Sequence, residues 1–350
     1  MNLLNSITQL SHEFGTQDYV QGGGGNTSVK DAQTLWVKPS GTTLAGLEPE
    51  RFVPIDRHLL AALYTARVPS DSARREASVK NLLAAAVLPG ATGRPSVETP
   101  LHDSFAAAFV VHTHPALVNG MTCARDGAAA CKKLFPDALW IPYTDPGYTL
   151  CMRVRAEIQA WRDRTGADPS RVFLQNHGVF IAAGTAREMR VLHKEMMAEL
   201  ERAYAEAGIS SALSVGAPPA AARLAQVTQT MRDAIGVDEP VHVVASGAFP
   251  VAAGPFSPDH IVYMKSFPLL DEPAPAALRA FIERHGYWPR VVAAPDAVFA
   301  AGTTAKNAAL ACSGPRWRQD RSVRRGLWRC RIPKRRGARF YRTLGSRTIS

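Results

Sequence analysis

The sequence predicts an α/β fold in which a mixed or antiparallel sheet is covered by helices. Several short segments alternate apolar and polar residues, as strands with one buried face do. Helical patterns fall between hairpins rather than after every strand, which is unlike a doubly wound parallel sheet. With 350 residues, 46% of them hydrophobic, the chain is long enough for two domains and a sizeable core.

The first domain is expected over residues 1–207. Leu3, Ile7, Leu10 and Phe14 recur near helical spacing, so residues 2–19 predict an amphipathic helix. A run of four glycines precedes a hairpin through 27–37, which ends in a polar turn at 38–42. The same criteria predict helices at 55–66, 72–87, 96–108, 116–124, 150–164 and 185–207, and strands at 109–114, 139–143, 172–175 and 179–183.

A linker rich in Ser, Ala, Gly and Pro is expected at 208–219, followed by a small α/β domain at 220–311. The patterns there predict helices at 220–235, 274–285 and 303–311, and strands at 241–245, 261–264 and 290–293. Asp259, His260 and His285 are interpreted as structural, because no second polar cluster accompanies them.

Basic charge is concentrated at the C-terminal end. Residues 315–350 contain thirteen Lys or Arg and one acid, a net charge of +12, whereas the whole chain has +11. Arginine is abundant from Cys312 onward without a hydrophobic period, so residues 312–350 are expected to be a disordered tail. We interpret this tail as the product of a frameshift in a GC-rich reading frame. The alternative is an arm that binds nucleic acid through its arginines and Trp317, Trp328 and Tyr341, but nucleic acid is not expected as a partner.

Composition favours a cytoplasmic protein. The N-terminus has no signal-peptide pattern, and no apolar run approaches the ~18 residues of a membrane span. Five scattered cysteines without C-x-x-C spacing argue against a disulfide framework and fit a reducing compartment.

A His-x-His pair at His112 and His114 is the strongest chemical signal. Alternate residues of a strand share a face, so two imidazoles on one strand form half of a transition-metal site. The alternative is a pair of satisfied structural histidines. Glu98 upstream and His177 downstream favour the metal reading, because a catalytic zinc site needs three protein ligands, an open position and a base.

Three small polar segments could bind an anion. The run Gly22–Gly25 exposes consecutive N–H groups, although a flexible turn would use the same residues. The turn at 38–42 is rich in donors, and its alternative is a simple strand-ending turn. Ser96 begins a helix, where it could bind a phosphate oxygen; taken alone, the segment favours the alternative that Ser96 is only an N-cap.

Five motifs in order carry a resemblance to the class II aldolase/adducin family: Gly25-Asn26-Thr27-Ser28, Pro39-Ser40-Gly41, Pro95-Ser96-Val97-Glu98, His112-Thr113-His114-Pro115 and Asn176-His177-Gly178. The resemblance covers about residues 1–207. It implies a three-layer α/β/α sandwich with a largely antiparallel central sheet, and a homo-oligomer, usually a tetramer, with sites between subunits.

The resemblance also implies residue roles. His112, His114 and His177 would be ligands of Zn²⁺ or another divalent metal, Glu98 the acid/base, and Asn26, Ser40, Gly41 and Ser96 the phosphate-binding residues. Val97 departs from the family, which often has a second serine there, so the anion could differ from a simple sugar phosphate. Region 220–311 is similar to longer aldolase-like chains, including aldolase–dehydrogenase fusions, but no G-x-G-x-x-G fingerprint occurs.

The implied activity is that of a metal-dependent aldehyde-lyase. Retro-aldol cleavage of a ketose phosphate or sugar-acid phosphate would proceed through a zinc-stabilised enediolate, with Glu98 moving the proton beside the carbonyl. Epimerisation, dehydration or decarboxylation on the same site is the first alternative. A non-enzymatic adducin-like interaction module is the second, and retention of all three histidines argues against it.

Overall fold

The computed structural model describes residues 2–208, 214–236 and 240–318, and the chain divides into two compact units, Met1–Ala203 and Tyr204–Ser350. The described residues of the first unit form the strands β1 (Asn26–Lys30), β2 (Thr34–Val37), β3 (Val53–Asp56), β4 (Phe109–Thr113), β5 (Leu139–Ile141), β6 (Arg171–Leu174) and β7 (Gly178–Ala183). Its helices are α1 (Leu3–Glu13), α2 (Arg57–Thr65), α3 (Ser72–Ala85), α4 (Thr99–Asp103), α5 (Ala116–Thr122), α6 (Gly127–Leu134), α7 (Tyr148–Thr165) and α8 (Ala186–Glu206). The α/β class is confirmed.

One sheet organises the first unit, in the order β3-β2-β1-β4-β7-β6-β5. Neighbouring strands pair antiparallel except β5 and β6, which are parallel. The exception has a topological reason: α7 lies between β5 and β6 in the chain, and a helical crossover returns the chain in the same direction. β4 lies between β1 and β7, so its side chains are buried on both faces.

Helices pack on both faces of this sheet. On one face, Leu101 of α4 and Val154 of α7 pack with Val110 and Phe180 in a buried cluster. On the other face, the Ser11 hydroxyl of α1 lies 2.7 Å from that of Thr27 in β1. Alternation along β1 and β4 therefore decides which residues face α4, and these include Asn26 and His112.

The second unit contains the strands β8 (His242–Gly247), β9 (Val291–Ala293) and β10 (Ala297–Gly302) and the helices α9 (Ala221–Ile235), α10 (Pro258–Met264), α11 (Pro275–His285) and α12 (Ala305–Arg318) among its described residues. The strand order is β8-β10-β9, and both pairs are antiparallel. The strand predicted at 261–264 is wrong, because this segment belongs to α10. Pro258 at the first helical position and Asp259 in the first turn favour a helix over the β-branched pair Ile261-Val262.

Other boundaries also differ from the sequence pattern. The helix predicted at 96–108 is reduced to α4, Thr99–Asp103, because the chain must turn before it enters β4. The sequence pattern missed β3, α6 and β10. The helix predicted to end at 311 continues to Arg318, with Cys312 buried; the rest of the predicted tail, 319–350, and linker residues 209–213 lie outside the described residues.

Within the part of the chain that the structure describes, no helix is both long and apolar enough to cross a membrane.

Candidate metal centre

His112 occupies the centre of the sheet. Its strand register places it opposite Asn26 of β1 and Phe180 of β7. The imidazole is fully buried and stacks on the Phe180 ring, with centroids 4.0 Å apart and planes at 11°. Burial and the stack on Phe180 therefore fix the orientation of this ring.

The tautomer of His112 follows from its backbone contact. Nδ1 lies 2.9 Å from the carbonyl oxygen of Val179. A carbonyl can only accept, so Nδ1 carries the proton and Nε2 presents its lone pair. Burial lowers the pKa of His112 well below its ordinary value, which favours the neutral, ligating form.

Two further histidines converge on Nε2 of His112. Nε2 of His114, just past the end of β4, lies 2.9 Å away, and Nε2 of His177, in the turn between β6 and β7, lies 3.3 Å away. Asn176 reaches this turn in the left-handed conformation, with φ of 59°. A Cβ on Gly178 would come within 2.5 Å of the Thr113 oxygen and 2.6 Å of the His114 ring, so only glycine fits beside the cluster.

This donor set fits a divalent metal. The ligating atoms of the three buried histidines lie within 4.8 Å of one another. For Zn–N bonds of about 2.0–2.1 Å at tetrahedral angles, neighbouring nitrogens are roughly 3.3 Å apart. The spacing of the His112 and His177 nitrogens matches that value, and the spacing to His114 is somewhat shorter. Hence the three histidines singled out in the sequence are brought together.

The carboxylate of Glu98 lies beside the histidines. Its Oε1 is 3.4 Å from Nε2 of His177 and 3.6 Å from Nε2 of His112. Burial alone would raise the pKa of Glu98, but His112, His177 and His114 more than offset this, and the pKa lies below its usual range. The carboxylate is therefore ionised and can accept a proton.

Strand β1 supplies a column of polar groups beneath α4. Nδ2 of Asn26 donates to Oε2 of Glu98 at 2.5 Å, the hydroxyl of Ser28 lies 2.8 Å from Nδ1 of His102, and Nζ of Lys30 donates to the His102 carbonyl at 2.8 Å. Burial lowers the pKa of His102 to about 3, so this histidine is neutral. Because residues 26, 28 and 30 share one face of β1, a single strand fixes the segment that carries Glu98.

Three of the residues expected to bind phosphate, Ser40, Gly41 and Ser96, lie in two adjoining turns, whereas the fourth, Asn26, lies in β1. Pro39 bridges to Pro95, and the amide of Ser40 donates to the carbonyl of Arg94 at 2.8 Å. Ser40 and Gly41 are exposed, and Gly41 has φ of 83°. Ser96 is buried, and its hydroxyl accepts from the Glu98 amide at 3.2 Å. It thus stabilises the turn before α4, and the hydroxyl proton stays available to a ligand.

Lys38 is a site residue that the sequence pattern did not single out. Its side chain is almost fully buried, and Nζ donates to the carbonyls of Thr42 at 2.7 Å and Gly23 at 3.2 Å. Burial lowers its pKa to about 8, against the opposing charge of Glu98. Its position directly after β2, before Pro39, was the available signal. Lys38 therefore connects the glycine run Gly22–Gly25 to the turn at 38–42, and the glycine run contributes a carbonyl acceptor to this contact.

Val97 is 64% exposed. It follows Ser96 in the turn expected to bind phosphate, at the position where the sequence departs from the family pattern.

Comparisons with known proteins identify the family. A family model of the class II aldolase and adducin N-terminal domain matches residues 5–204. An uncharacterized oxidoreductase, YuxG of Bacillus subtilis, is 27% identical over 167 residues; the match covers 45% of this chain and 23% of that protein, so the chain spans less than a quarter of that relative.

Two solved structures are also similar. A class II aldolase domain from Thermoplasma acidophilum is 25% identical, with a TM-score of 0.49, over 57% of this chain and 93% of that chain. L-fuculose-1-phosphate aldolase from Thermus thermophilus is 16% identical, with a TM-score of 0.36, over 57% of this chain and 92% of that chain. Both TM-scores lie below 0.5, so the assignment to a family rests on the family model that matches residues 5–204.

Proposed function

The chain belongs to the class II aldolase and adducin family, and we propose that it is a metal-dependent lyase that cleaves a ketose phosphate or a related sugar-acid phosphate by retro-aldol chemistry. The observation that carries the proposal is the convergence of three buried histidine nitrogens beside an ionised carboxylate. An interaction module has no need for such a cluster at the centre of its sheet.

We propose that His112, His114 and His177 hold Zn²⁺ or another divalent cation. When bound, such a cation supplies Lewis acidity, which polarises a carbonyl oxygen and favours the enediolate left by carbon–carbon cleavage. The Val179 carbonyl fixes the His112 tautomer, and Phe180 fixes its ring plane. The chain thus presents a preorganised ligand set.

Glu98 would act as the base in this scheme. An ionised carboxylate next to the bound ketose accepts the proton that must leave the reacting hydroxyl and returns one to the carbon beside the carbonyl. The sequence assigned Asn26 to the phosphate, but its amide nitrogen donates to Glu98. We therefore assign Asn26 to orienting this carboxylate.

We propose that the phosphate binds at Ser40, Gly41 and Ser96. The exposed amide-rich turn at 40–41 and the Ser96 hydroxyl come from segments joined at Pro39 and Pro95. Lys38 beneath the turn contributes positive charge, although its ammonium is held by two backbone carbonyls. Binding a remote phosphate orients the ketose against the metal and Glu98.

We also propose a three-layer α/β/α arrangement, a cytoplasmic location and a homo-oligomer for this protein. Helices on both faces of the first sheet support the layering. Four cysteines of the described residues, Cys123, Cys131, Cys151 and Cys312, are buried and form no disulfide, which is typical of proteins in reducing compartments.

A panel of ketose phosphates and sugar-acid phosphates, incubated with metal-analysed protein, tests the proposal. We expect release of an aldehyde and a three-carbon or two-carbon fragment, together with about one divalent ion per chain. Metal-dependent turnover without carbon–carbon cleavage would indicate epimerisation, dehydration or decarboxylation instead. Absence of any metal from active protein would refute the proposal.

A further inference from the structure

Two stretches of the chain, one in each unit, resemble each other. Residues 178–187 read GVFIAAGTAR and residues 297–306 read AVFAAGTTAK, with five identities in ten aligned positions. The stretches coincide with the same elements: β7 starts at Gly178 and β10 at Ala297, whereas α8 starts at Ala186 and α12 at Ala305. A constant spacing of 119 residues therefore relates both the strand and the start of the following helix.

The resemblance extends to the order of the elements. The chain order in the first unit is α4, β4, α5, α6, β5, α7, β6, β7 and α8. The corresponding strands lie in the sheet in the order β4-β7-β6-β5. The chain order in the second unit is α9, β8, α10, an isolated β-bridge residue at Leu269, α11, β9, β10 and α12. The strands lie in the order β8-β10-β9, and Leu269 pairs beside β9. One helix of the first series, α5 or α6, lacks a counterpart.

The strand registers agree as well. His112 of β4 pairs with Phe180, and Ala245 of β8 pairs with the equivalent phenylalanine, Phe299. Leu139 pairs with Val172 in parallel, as Leu269 does with Val292. The crossover helices α7 and α11 both end at a left-handed glycine, Gly166 and Gly286. Common topology can arise independently, but shared sequence, register and helix ends together are specific.

In this correspondence, the metal-ligand positions are changed. Ala245 stands where His112 does, Gly247 where His114 does, and Asp296, directly before β10, where His177 stands before β7. The hairpin turn is one residue shorter, because Ala293 and its partner Val298 are five residues apart, whereas the equivalent pair, Phe173 and Val179, is six residues apart. A side chain at 247 would run into the backbone of Gly216. No triad of histidines can form there.

An ion-pair cluster occupies the corresponding place. Arg223, near the start of α9, donates from Nε to Oδ2 of Asp296 at 3.1 Å, and its Nη2 contacts Glu272. Its guanidinium lies over the Phe299 ring, 5.6 Å from the centroid, as His112 lies over Phe180. In the first unit an acid before α4, Glu98, faces His177; in the second unit a base near the start of α9, Arg223, faces an acid, Asp296.

We propose that the second unit is a degenerate second copy of the half of the aldolase domain that carries the metal histidines, with an Arg223–Asp296–Glu272 ion-pair cluster in the place of the metal centre. Among its described residues, the second unit then carries no metal site and no second active centre, and its former site is a structural clamp between α9 and the β9–β10 turn.

Grafting ligands onto the equivalent positions tests this correspondence. In a His112→Ala/His114→Ala background, Arg223→Glu, Ala245→His and Asp296→His recreate the counterparts of Glu98, His112 and His177. The matched control replaces Ala245→His by Val244→His, which faces the opposite side of β8, because adjacent strand residues point to opposite faces. Ni²⁺ and Co²⁺ affinities of the two full-length proteins are compared by calorimetry and by Co²⁺ absorption.

We expect the graft to bind about tenfold or more tightly than the control, since its ligands share one site. Equal affinities would overturn the proposal. A milder graft, Ala245→His/Asp296→His with Arg223 retained, is measured in parallel. If both grafts unfold by circular dichroism while the control folds, the positions do not correspond and the proposal is likewise overturned. The background lacks two native ligands, so neither outcome depends on the proposed lyase activity.

Discussion

Gly178 links the sheet to the metal centre, and its replacement by alanine makes a sharp prediction. A Cβ there would lie 2.5 Å from the backbone oxygen of Thr113 and 2.6 Å from Cδ2 of His114. Carbon–carbon contacts are ordinarily about 3.5–4.0 Å, so the ring of His114 must move by about 1 Å or the pairing of β4 with β7 must open. Both groups are buried, and the Thr113 oxygen is backbone, so little relaxation is available.

Overpacking of this kind costs about 1–3 kcal/mol of folding free energy. Displacing one of three ligands should also weaken metal affinity by about 10–100-fold, as loss of a supporting contact does in other metal sites. Chelator competition gives the affinity, and urea unfolding of the metal-free protein gives the stability.

Gly184→Ala is the matched control. Gly184 directly follows the same strand, and its nearest neighbour to an added Cβ is the Glu188 carboxylate at 3.5 Å, an ordinary contact. Alanine there should leave metal affinity unchanged. If Gly178→Ala binds metal as tightly as Gly184→Ala and is equally stable, the close approach inferred for β4 and β7 is incorrect.

The remaining predictions concern the ligands, the base and a buried lysine. The His112→Ala/His114→Ala variant should lose its divalent ion, because too few ligands remain to hold it; full occupancy measured by atomic spectroscopy would contradict the assignment. Glu98→Gln should keep its metal and its fold but lose about 10²–10⁴-fold in turnover, because the base is removed. Glu50 is an exposed carboxylate in the same unit, and Glu50→Gln should leave turnover unchanged. Near-normal turnover of the metal-loaded Glu98→Gln protein would leave Glu98 with a structural role only. Burial lowers the pKa of Lys30 from 10.5 to about 7, against the opposing charge of Asp103, so the unfolded chain binds more protons between these values. Raising the pH from 7 toward 10 should therefore increase the free energy of unfolding of the native protein relative to that of Lys30→Met, by up to a few kcal/mol. Identical pH profiles of the two proteins in urea unfolding would contradict this prediction.

The parts of the site that the sequence could predict are those carried by short motifs. The spacing of His112 and His114 on a strand, together with Glu98 upstream and His177 downstream, indicated a metal site, and the family resemblance implied the role of each residue. All four lie together. The contacts of Asn26 and Lys38 were not predictable in this way, because they depend on which strands are neighbours and on which carbonyls the turns expose.

The sequence pattern failed to predict secondary structure where tertiary geometry overrides the local pattern. Ile261 and Val262 are β-branched and suggested a strand, yet the proline and acid that precede them start α10. The segment 96–108 has helical spacing, but its last residues must turn into β4, so α4 is a helix of five residues. Strand β10 was missed because Ala297–Gly302 is buried on both faces and lacks the alternation that marks a half-exposed strand.

The register between β1 and β4 explains why Glu98 can serve three histidines. Asn26 is opposite His112, so the residue that holds the Glu98 carboxylate and a proposed metal ligand are neighbours on one sheet face. Ser28 and Lys30, at the next two positions on that face, hold the side chain and carbonyl of His102, one helical turn beyond Glu98. A slip of one residue would turn Asn26, Ser28 and Lys30 to the other face and leave three polar partners unpaired in the core. These buried polar contacts restrict β1 to the register in which Glu98 reaches His177, a restriction that apolar side chains of similar size would impose less strictly.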